Sequence, residues 1–230
     1  MDSVVSRPRS ASTLWRTWVE RPEKLWVRNF FFQVHFWLGS LTAAYVALMS
    51  LTGSVIVFRN ELASQPVGWL VRLHQWAVFG WDGHVLNGIG AVSLLVLSLS
   101  GAVIWWPGQA HWRRSLTIEW RARLPRLTWD AHSAIGFWFL IVVTMWSISG
   151  LYLAEPQWFD GLLQLDPQDR FLDHAFFALA QLHFGRFSRI TKIAWAAMGL
   201  VPSALAISGV FICCRRVIWH KPSNPKHAVS

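Results

Sequence analysis

Four long apolar stretches run through the chain, and polar, charged segments separate them. The stretches cover residues 34–58, 84–106, 131–154 and 193–214, and none of them contains Asp, Glu, Lys or Arg. A helix of about 20 apolar residues crosses the hydrocarbon core of a bilayer. The pattern therefore predicts an all-α membrane protein built as a bundle of four transmembrane helices. Aromatic-rich amphipathic stretches such as residues 69–81 predict short interfacial helices between the spans.

The first and third stretches share one arrangement of histidine and glycine. In each copy a glycine follows the histidine four residues later, and a second glycine, directly after Thr or Ser, follows fourteen residues beyond it. These residues are His35, Gly39 and Gly53 in the first copy, and His132, Gly136 and Gly150 in the second. Eighteen positions make five helical turns, so the second glycine returns to the face of the histidine about 27 Å away.

The second and fourth stretches extend this repeat. His74 precedes Gly101 by twenty-seven residues, and His183 precedes Gly209 by twenty-six. The odd stretches would then cross the membrane in one direction and the even stretches in the other. The sequence thus predicts an internal duplication of two helix pairs, related by a pseudo-two-fold axis along the membrane normal.

Composition and charge distribution agree with this interpretation and orient the chain. Hydrophobic residues make up 53% of the chain and charged residues 14%, and the 17 Trp are typical of membrane interfaces. Residues 1–33, residues 107–130 and the tail from Arg215 hold fifteen Lys and Arg against five acids, while the two opposite loops hold six against seven. Because short basic loops stay in the cytoplasm, we expect both termini on the cytoplasmic side of a bacterial inner membrane.

The predicted organisation has three parts. Residues 1–33 form a cytoplasmic or interfacial arm, residues 34–216 a four-helix membrane domain, and residues 217–230 a cytoplasmic tail. The net charge of +9 is also typical of nucleic-acid-binding proteins. No recognition module accompanies the basic residues, however, so we expect the lipid bilayer and not a nucleic acid as their partner.

The topology places the histidines in two pairs. His35 and His132 fall at matching depth on the cytoplasmic side, and His74 and His183 fall on the opposite side. Two imidazoles that meet from opposite sides suit an octahedral iron in a porphyrin plane, that is, a bis-His b-type haem. Glycines on the same faces would let the flat macrocycle approach the backbone. These glycines are Gly39, Gly136, Gly53, Gly150, Gly101 and Gly209.

Other interpretations of these residues stay open. A histidine at a helix end is often an interfacial residue, and glycines in membrane helices are commonly packing contacts. Zinc is less favoured, because no thiolate or carboxylate stands beside the four histidines in the sequence. Cys213 and Cys214 are not part of a C-x-x-C-H motif, so covalent attachment of a c-type haem is not expected.

His84 competes with His74 as the outer member of the first repeat. It is followed by Gly88 four residues later and by Gly101 seventeen residues later, which mimics the repeat. Its counterpart in the second half would fall near Lys192, where no histidine stands, whereas His74 has a counterpart in His183. We therefore predict His74 as the ligand, with His84 as the alternative or as a group that lines the same site.

The chain resembles the PepSY-associated transmembrane helix family, which includes bacterial inner-membrane ferric-siderophore reductases. The resemblance covers about residues 30–216. It depends on the two His-x3-Gly pieces, Leu51-Thr52-Gly53, Phe58-Arg59-Asn60-Glu61-Leu62, Leu73-His74, Gly101 with Trp105-Trp106-Pro107, and Leu182-His183-Phe184-Gly185-Arg186-Phe187. The family implies haem b held by paired histidines, here His35, His74, His132 and His183, and electron transfer to ferric siderophores at the periplasmic face.

The chain departs from the family in its outer loops. The first outer loop and residues 156–192 are too short to hold the soluble PepSY domains that family members often carry. We therefore predict a minimal di-haem b electron-transfer protein, an oxidoreductase. Its donor would be cytoplasmic or a membrane quinone, and its acceptor ferric siderophore iron or a periplasmic partner protein.

Other functions and the assembly state stay open. A non-catalytic scaffold or assembly subunit of a transport complex is the alternative function, and a proton- or metal-coupled carrier is a weaker one. The sequence leaves the oligomeric state open, a homo-oligomer included.

Overall fold

The computed structural model describes residues 11–62, 65–75, 80–163, 170–185 and 188–218. Within these ranges the chain forms α-helices, a short 3₁₀ turn at Pro22–Lys24 and no strand. The helices are α1 (Ala11–Glu20), α2 (Trp26–Ile56), α3 (Arg59–Leu62), α4 (Gln65–His74), α5 (Trp81–Trp105), α6 (Trp112–Ser115), α7 (Leu124–Trp138), α8 (Leu140–Ala154), α9 (Gln157–Leu163), α10 (Arg170–Phe184), α11 (Arg189–Gly199) and α12 (Val201–Ile218). The predicted all-α class is confirmed.

Among the described residues, three helical segments are long and apolar enough to cross a membrane: Trp26–Ile56, Gly83–Trp105 and Arg189–Val217. Helices α7 and α8 make a fourth crossing if the bent pair is counted as one span. Polar side chains inside the spans are satisfied locally. In α2, for example, Ser40 and Thr42 donate to the carbonyl oxygens four residues earlier, at 2.7 and 2.8 Å. The chain is therefore a helical membrane protein, as predicted.

The third span differs from the prediction of one continuous helix. The chain bends by 64° between α7 and α8, at Phe139, although no proline stands there. Phe137 stacks on Trp105 of α5 with 4.0 Å between ring centroids, and the indole N–H of Trp138 donates to the Leu116 carbonyl oxygen at 3.1 Å. These contacts fix the end of α7, while α8 packs along α5. The helix axis changes direction where the two sets of contacts meet.

This bend changes the geometry of the second repeat. In the first copy His35 and Gly53 lie on the unbroken helix α2, as the sequence predicted. In the second copy His132 lies on α7 and Gly150 on α8, so five straight turns do not connect them. The expectation of one straight face is therefore wrong for the second copy.

Neighbouring helices run antiparallel, which defines two ends of the bundle. Ser40 in the middle of α2 donates to the Cys213 sulfur near the end of α12 at 3.1 Å, whereas Ser50, farther along α2, accepts from the Ser203 backbone N–H near the start of α12 at 2.9 Å. Helix α2 packs against both α5 and α12, α5 packs against α8, and α12 packs against α7. The four spans thus surround a common interior.

The fourth span is interrupted at Leu200, two residues before Pro202. Pro202 has no N–H, and the next N–H, from Ser203, donates to the Ser50 hydroxyl instead of to its own helix. The Ser203 hydroxyl donates to the Ala47 carbonyl oxygen at 3.0 Å. Hydrogen bonds to α2 therefore satisfy groups that the break leaves exposed, and they lock α12 against α2.

Short helices cover the ends of the bundle. Helix α4 packs against α2, and α10 packs against α8, and each carries its histidine in its last turn. At the other end, the Trp106 indole N–H donates to the Trp18 carbonyl oxygen at 3.1 Å, which ties α1 to the segment after α5. Short helices outside the spans are thus present, although residues 156–192, expected as a loop, contain α9 and α10.

Candidate functional site

Two cavities lie inside the bundle, one toward each end. The His35 cavity has His35 and His132 in its wall and occupies about 1380 Å³, its open mouth included. The His74 cavity has His74 and His183 in its wall and occupies about 1580 Å³, again with its mouth. The structure therefore brings the four predicted histidines together in the two predicted pairs. Both cavities share a wall, which is made of Val46, Leu94 and Pro202.

The two imidazoles of the His35 cavity form an edge-type ring pair. Their ring centroids are 6.3 Å apart, and the ring planes are nearly perpendicular, at 87°. Two imidazoles on opposite sides of one metal ion, with bonds of about 2.0–2.1 Å, would have ring centres about 6.2–6.4 Å apart. The separation of the His35 and His132 ring centroids matches this distance.

A hydroxyl group contacts the Nδ1 atom of every one of the four histidines. Each hydroxyl belongs to a Ser or Thr that directly precedes a glycine, and we call this dipeptide a hydroxyl–glycine pair. The contacts are Ser100 Oγ to His35 (3.0 Å), Ser208 Oγ to His132 (2.9 Å), Thr52 Oγ1 to His74 (2.9 Å) and Ser149 Oγ to His183 (2.7 Å). The two ring nitrogens of each histidine consequently have different surroundings.

These contacts fix the tautomer of the rings. The hydroxyls of Thr52, Ser149 and Ser208 each lie 2.7–2.8 Å from the carbonyl oxygen four residues earlier, and a carbonyl can only accept. The single hydroxyl proton is used there, so each hydroxyl accepts a hydrogen bond from Nδ1–H. His35 Nδ1 also lies 3.1 Å from the Leu97 carbonyl oxygen, which again requires Nδ1–H. The lone pair therefore resides on Nε2 in all four neutral rings.

The glycine of each hydroxyl–glycine pair makes room for the same imidazole. A Cβ added to Gly53 would lie 3.1 Å from His74 Cε1, and one added to Gly101 would lie 3.3 Å from His35 Cε1. The corresponding distances are 3.4 Å from Gly209 to His132 and 3.6 Å from Gly150 to His183. We expected these glycines to clear space for a macrocycle. In the structure they lie against the histidine rings.

Gly39 and Gly136 differ from the other four glycines. Each lines the His35 cavity one turn after its histidine, as predicted. An added Cβ would contact a leucine and no histidine, namely Leu97 at 3.5 Å from Gly39 and Leu205 at 3.8 Å from Gly136. These two glycines therefore line the cavity without lying against its histidine rings.

The His74 cavity contains further polar groups. The Tyr45 hydroxyl donates to the Asn87 side-chain oxygen at 2.8 Å, and an added Cβ at Gly90 would collide with the Tyr45 ring. His84 also lines this cavity and is exposed at the start of α5, whereas His74 lies against Thr52 and Gly53.

The histidines of the His74 cavity lie outside the spanning helices, on α4 and α10. Burial lowers the pKa of His74 to about 4. Burial likewise lowers the pKa of His183 to about 4, with a smaller contribution from the nearby His74. Both rings are therefore neutral at neutral pH, which is the state that binds metals.

Part of this arrangement was not predicted from the sequence. The hydroxyl residues before Gly53 and Gly150 belong to the predicted repeat, but Ser100 and Ser208 had no predicted role. The signal was present, because the chain contains Ser or Thr directly before Gly at four places only, and all four form hydroxyl–glycine pairs. Among the described residues, no three His, Cys, Asp or Glu cluster as a metal-binding group.

A comparison with known proteins gives one result for part of the chain. Residues 62–170 match the family model of the PepSY-associated TM region. No curated protein and no solved structure matches the chain. The matched residues include His74 and His132, one histidine from each cavity, and helices α5, α7 and α8.

Proposed function

We propose that this chain, which belongs to the PepSY-associated TM region family, binds two b-type haems and carries electrons across a membrane. Each cavity would hold one haem, with His35 and His132 as ligands in the first and His74 and His183 in the second. Haem iron supplies one-electron chemistry when it is bound. The protein would supply the ligands, their orientation and an apolar environment.

The observation that carries this proposal is the presentation of Nε2. All four rings use Nδ1–H in a hydrogen bond inside the protein, which leaves the Nε2 lone pair for a metal. A hydrogen bond of this kind orients a metal-binding histidine and raises its basicity. The 6.3 Å between the His35 and His132 ring centroids supports bis-His binding to a single ion.

The lining of the cavities fits a large, flat and mostly apolar ligand. The His35 cavity is lined by aromatic and aliphatic side chains with glycine at Gly39 and Gly136, and its polar lining is limited to a few hydroxyls, the histidines, Cys213 and Arg216. A porphyrin would bury apolar surface against such walls, and the two histidines would hold its iron. The same walls would keep water away from the ligand and thereby influence its redox potential.

Equivalent contacts in the two halves support an internal duplication. His35 meets Ser100 and Gly101 of α5, and His132 meets Ser208 and Gly209 of α12 in the same way. Toward the other end, α4 packs against α2 as α10 packs against α8. The proposed chain therefore has two halves, each with one ligand for each haem.

The proposed orientation depends on charge. The segments at the His35 end carry the excess of Lys and Arg, so we place this end and both termini in the cytoplasm of a bacterial cell, with the chain in the inner membrane. Electrons would enter from a cytoplasmic donor or a quinone at the His35 end. They would leave at the His74 end to ferric siderophore iron or to a periplasmic partner protein.

A pyridine haemochrome assay on the purified full-length protein tests the proposal. We expect two b-type haems per chain and low-spin bands in the reduced-minus-oxidised spectrum, because both axial positions are filled by imidazole. Protein purified from haem-replete cells with no haem would contradict the proposal. That result would favour the scaffold alternative, which predicts no cofactor.

A further inference from the structure

Each cavity contains one arginine in its lining. Arg216, near the end of α12, lines the His35 cavity, and Arg59, just after α2, lines the His74 cavity. Neither guanidinium forms a salt bridge with a carboxylate of the described residues, where the ion pairs are Arg126–Asp130 and Lys192–Glu61. Both cavities thus combine apolar walls with a single cation that lacks an acidic partner in this part of the chain.

Arg216 is held in place by two aromatic rings of the same cavity. Its guanidinium carbon lies 4.6 Å from the centroid of the Phe32 ring and 5.9 Å from that of Phe36. Cation–π contacts of this kind orient the group through its flat face. The N–H donors point outward in the plane of the guanidinium, and they match the two oxygens of a carboxylate.

The two arginines lie at opposite ends of the bundle. Helices α2 and α12 are antiparallel, so the end of α12 lies beside the start of α2, far from Arg59 at the end of α2. Arg216 therefore lies on the side of His35, and Arg59 on the side of His74. The half-buried Arg59 has part of its surface inside the cavity and part outside it.

We propose that Arg216 and Arg59 bind carboxylate groups of the cavity ligands, so that the acidic edges of the two ligands face opposite ends of the bundle. This inference depends on the proposed function, because b-type haem carries two propionate carboxylates on one edge of a flat apolar ring. An ion pair strengthened by hydrogen bonds at a cavity mouth compensates for the loss of water around the carboxylate. Each arginine would thus hold the carboxylate edge of its ligand at the mouth of the cavity.

Titration of the apoprotein with haem tests the arginines one cavity at a time. In a His74→Ala background the titration reports on the His35 cavity alone, and in a His132→Ala background on the His74 cavity alone. The full-length protein would be placed in nanodiscs of uncharged lipid. We expect Arg216→Gln to weaken haem binding by about 10- to 100-fold in the first background, since the substitution removes a hydrogen bond to a charged group.

Matched controls are available in both segments. Arg215 is exposed beside Arg216 but does not line the cavity, and Arg72 is exposed on α4 outside the His74 cavity. Arg215→Gln and Arg72→Gln should leave binding unchanged within about twofold, whereas Arg59→Gln should weaken binding in the second background. The dimethyl ester of haem has no carboxylate, so it should bind equally to the wild-type protein and to Arg216→Gln.

The outcomes separate the two proposals. Wild-type protein that binds two haems with the same affinity as Arg216→Gln and Arg59→Gln would overturn the assignment of the arginines and leave the haem proposal standing. If Arg216 bound a lipid phosphate instead, Arg216→Gln would lose affinity for haem only in nanodiscs of anionic lipid. The variant would then lose affinity for the dimethyl ester of haem to the same extent. Wild-type protein that binds no haem would overturn both proposals together.

Discussion

The His35 cavity and the His74 cavity receive their histidines in the same way on different supports. In the His35 cavity both rings belong to helices of the spans, His35 to α2 and His132 to α7. In the His74 cavity both rings belong to short helices, His74 to α4 and His183 to α10. All four rings nevertheless meet a hydroxyl at Nδ1 and a glycine at Cε1.

The difference shows which part of the site the membrane helices determine. The four hydroxyl–glycine pairs lie one on each span, at Thr52-Gly53, Ser100-Gly101, Ser149-Gly150 and Ser208-Gly209. Each pair contacts a histidine ring from another helix, whether or not that helix crosses the membrane. The spans therefore provide four equivalent acceptor positions, and the element that delivers the histidine can vary.

The largest expected effect is the loss of one cavity at a time. His132→Ala should lower the haem content from two to one per chain, and so should His74→Ala, because each leaves a haem with a single imidazole. Pyridine haemochrome assays of the purified variants measure this content. His84→Ala is the matched control and should keep both haems, and loss of one haem in this variant would shift the assignment from His74 to His84.

A smaller effect should distinguish the glycines by their distance from the rings. Gly53→Ala would place a methyl group 3.1 Å from His74, which requires the ring to shift, so we expect about tenfold weaker haem binding in this cavity. Gly150→Ala would place it 3.6 Å from His183, an ordinary contact, and should leave affinity unchanged. Haem titration measures both affinities.

Helix stability provides an internal check on the glycine variants. Alanine favours helix over glycine by about 1 kcal/mol in an exposed helix, so neither substitution should unfold its span. Equal losses of affinity at the two positions would contradict the steric explanation, because the two glycines differ in their distance from the rings.

The redox potential should respond to the hydroxyls while the haem content stays at two. Thr52→Val keeps the shape of the side chain and removes the acceptor for His74 Nδ1–H. A less basic imidazole stabilises the ferric state less, so we expect the potential of this haem to rise by about 20–60 mV. Spectroelectrochemical titration measures the potential, and a downward shift would contradict the proposed tautomer.

The smallest effect is expected at His35, and it separates this ring from the other three. Ser100→Ala removes one acceptor, but the Leu97 carbonyl oxygen remains 3.1 Å from Nδ1. We expect an upward shift below about 20 mV, smaller than that of Thr52→Val. If the potential rose as much in Ser100→Ala as in Thr52→Val, the Leu97 carbonyl contact would contribute little to the basicity of His35.

The sequence predicted the apolar spans and the paired histidines because both depend on local pattern and spacing. It could not predict the partner of each glycine, since Gly101 lies against His35 only after α2 and α5 have packed. It also missed the bend at Phe139, which has no proline and results from contacts of Phe137 and Trp138 with other helices. The cations of the cavities were likewise invisible, because Arg59 and Arg216 are separated by most of the chain.

The hydroxyl groups that donate to their own helix have a consequence for cofactor loading. Since the backbone already holds the hydroxyl proton, no rearrangement of protons would be needed for the histidines to bind the proposed haem. Incorporation of haem should therefore neither release nor consume protons at the histidines near neutral pH. Protons exchange slowly inside a membrane, so a tautomer that is already set before the ligand binds is most useful there.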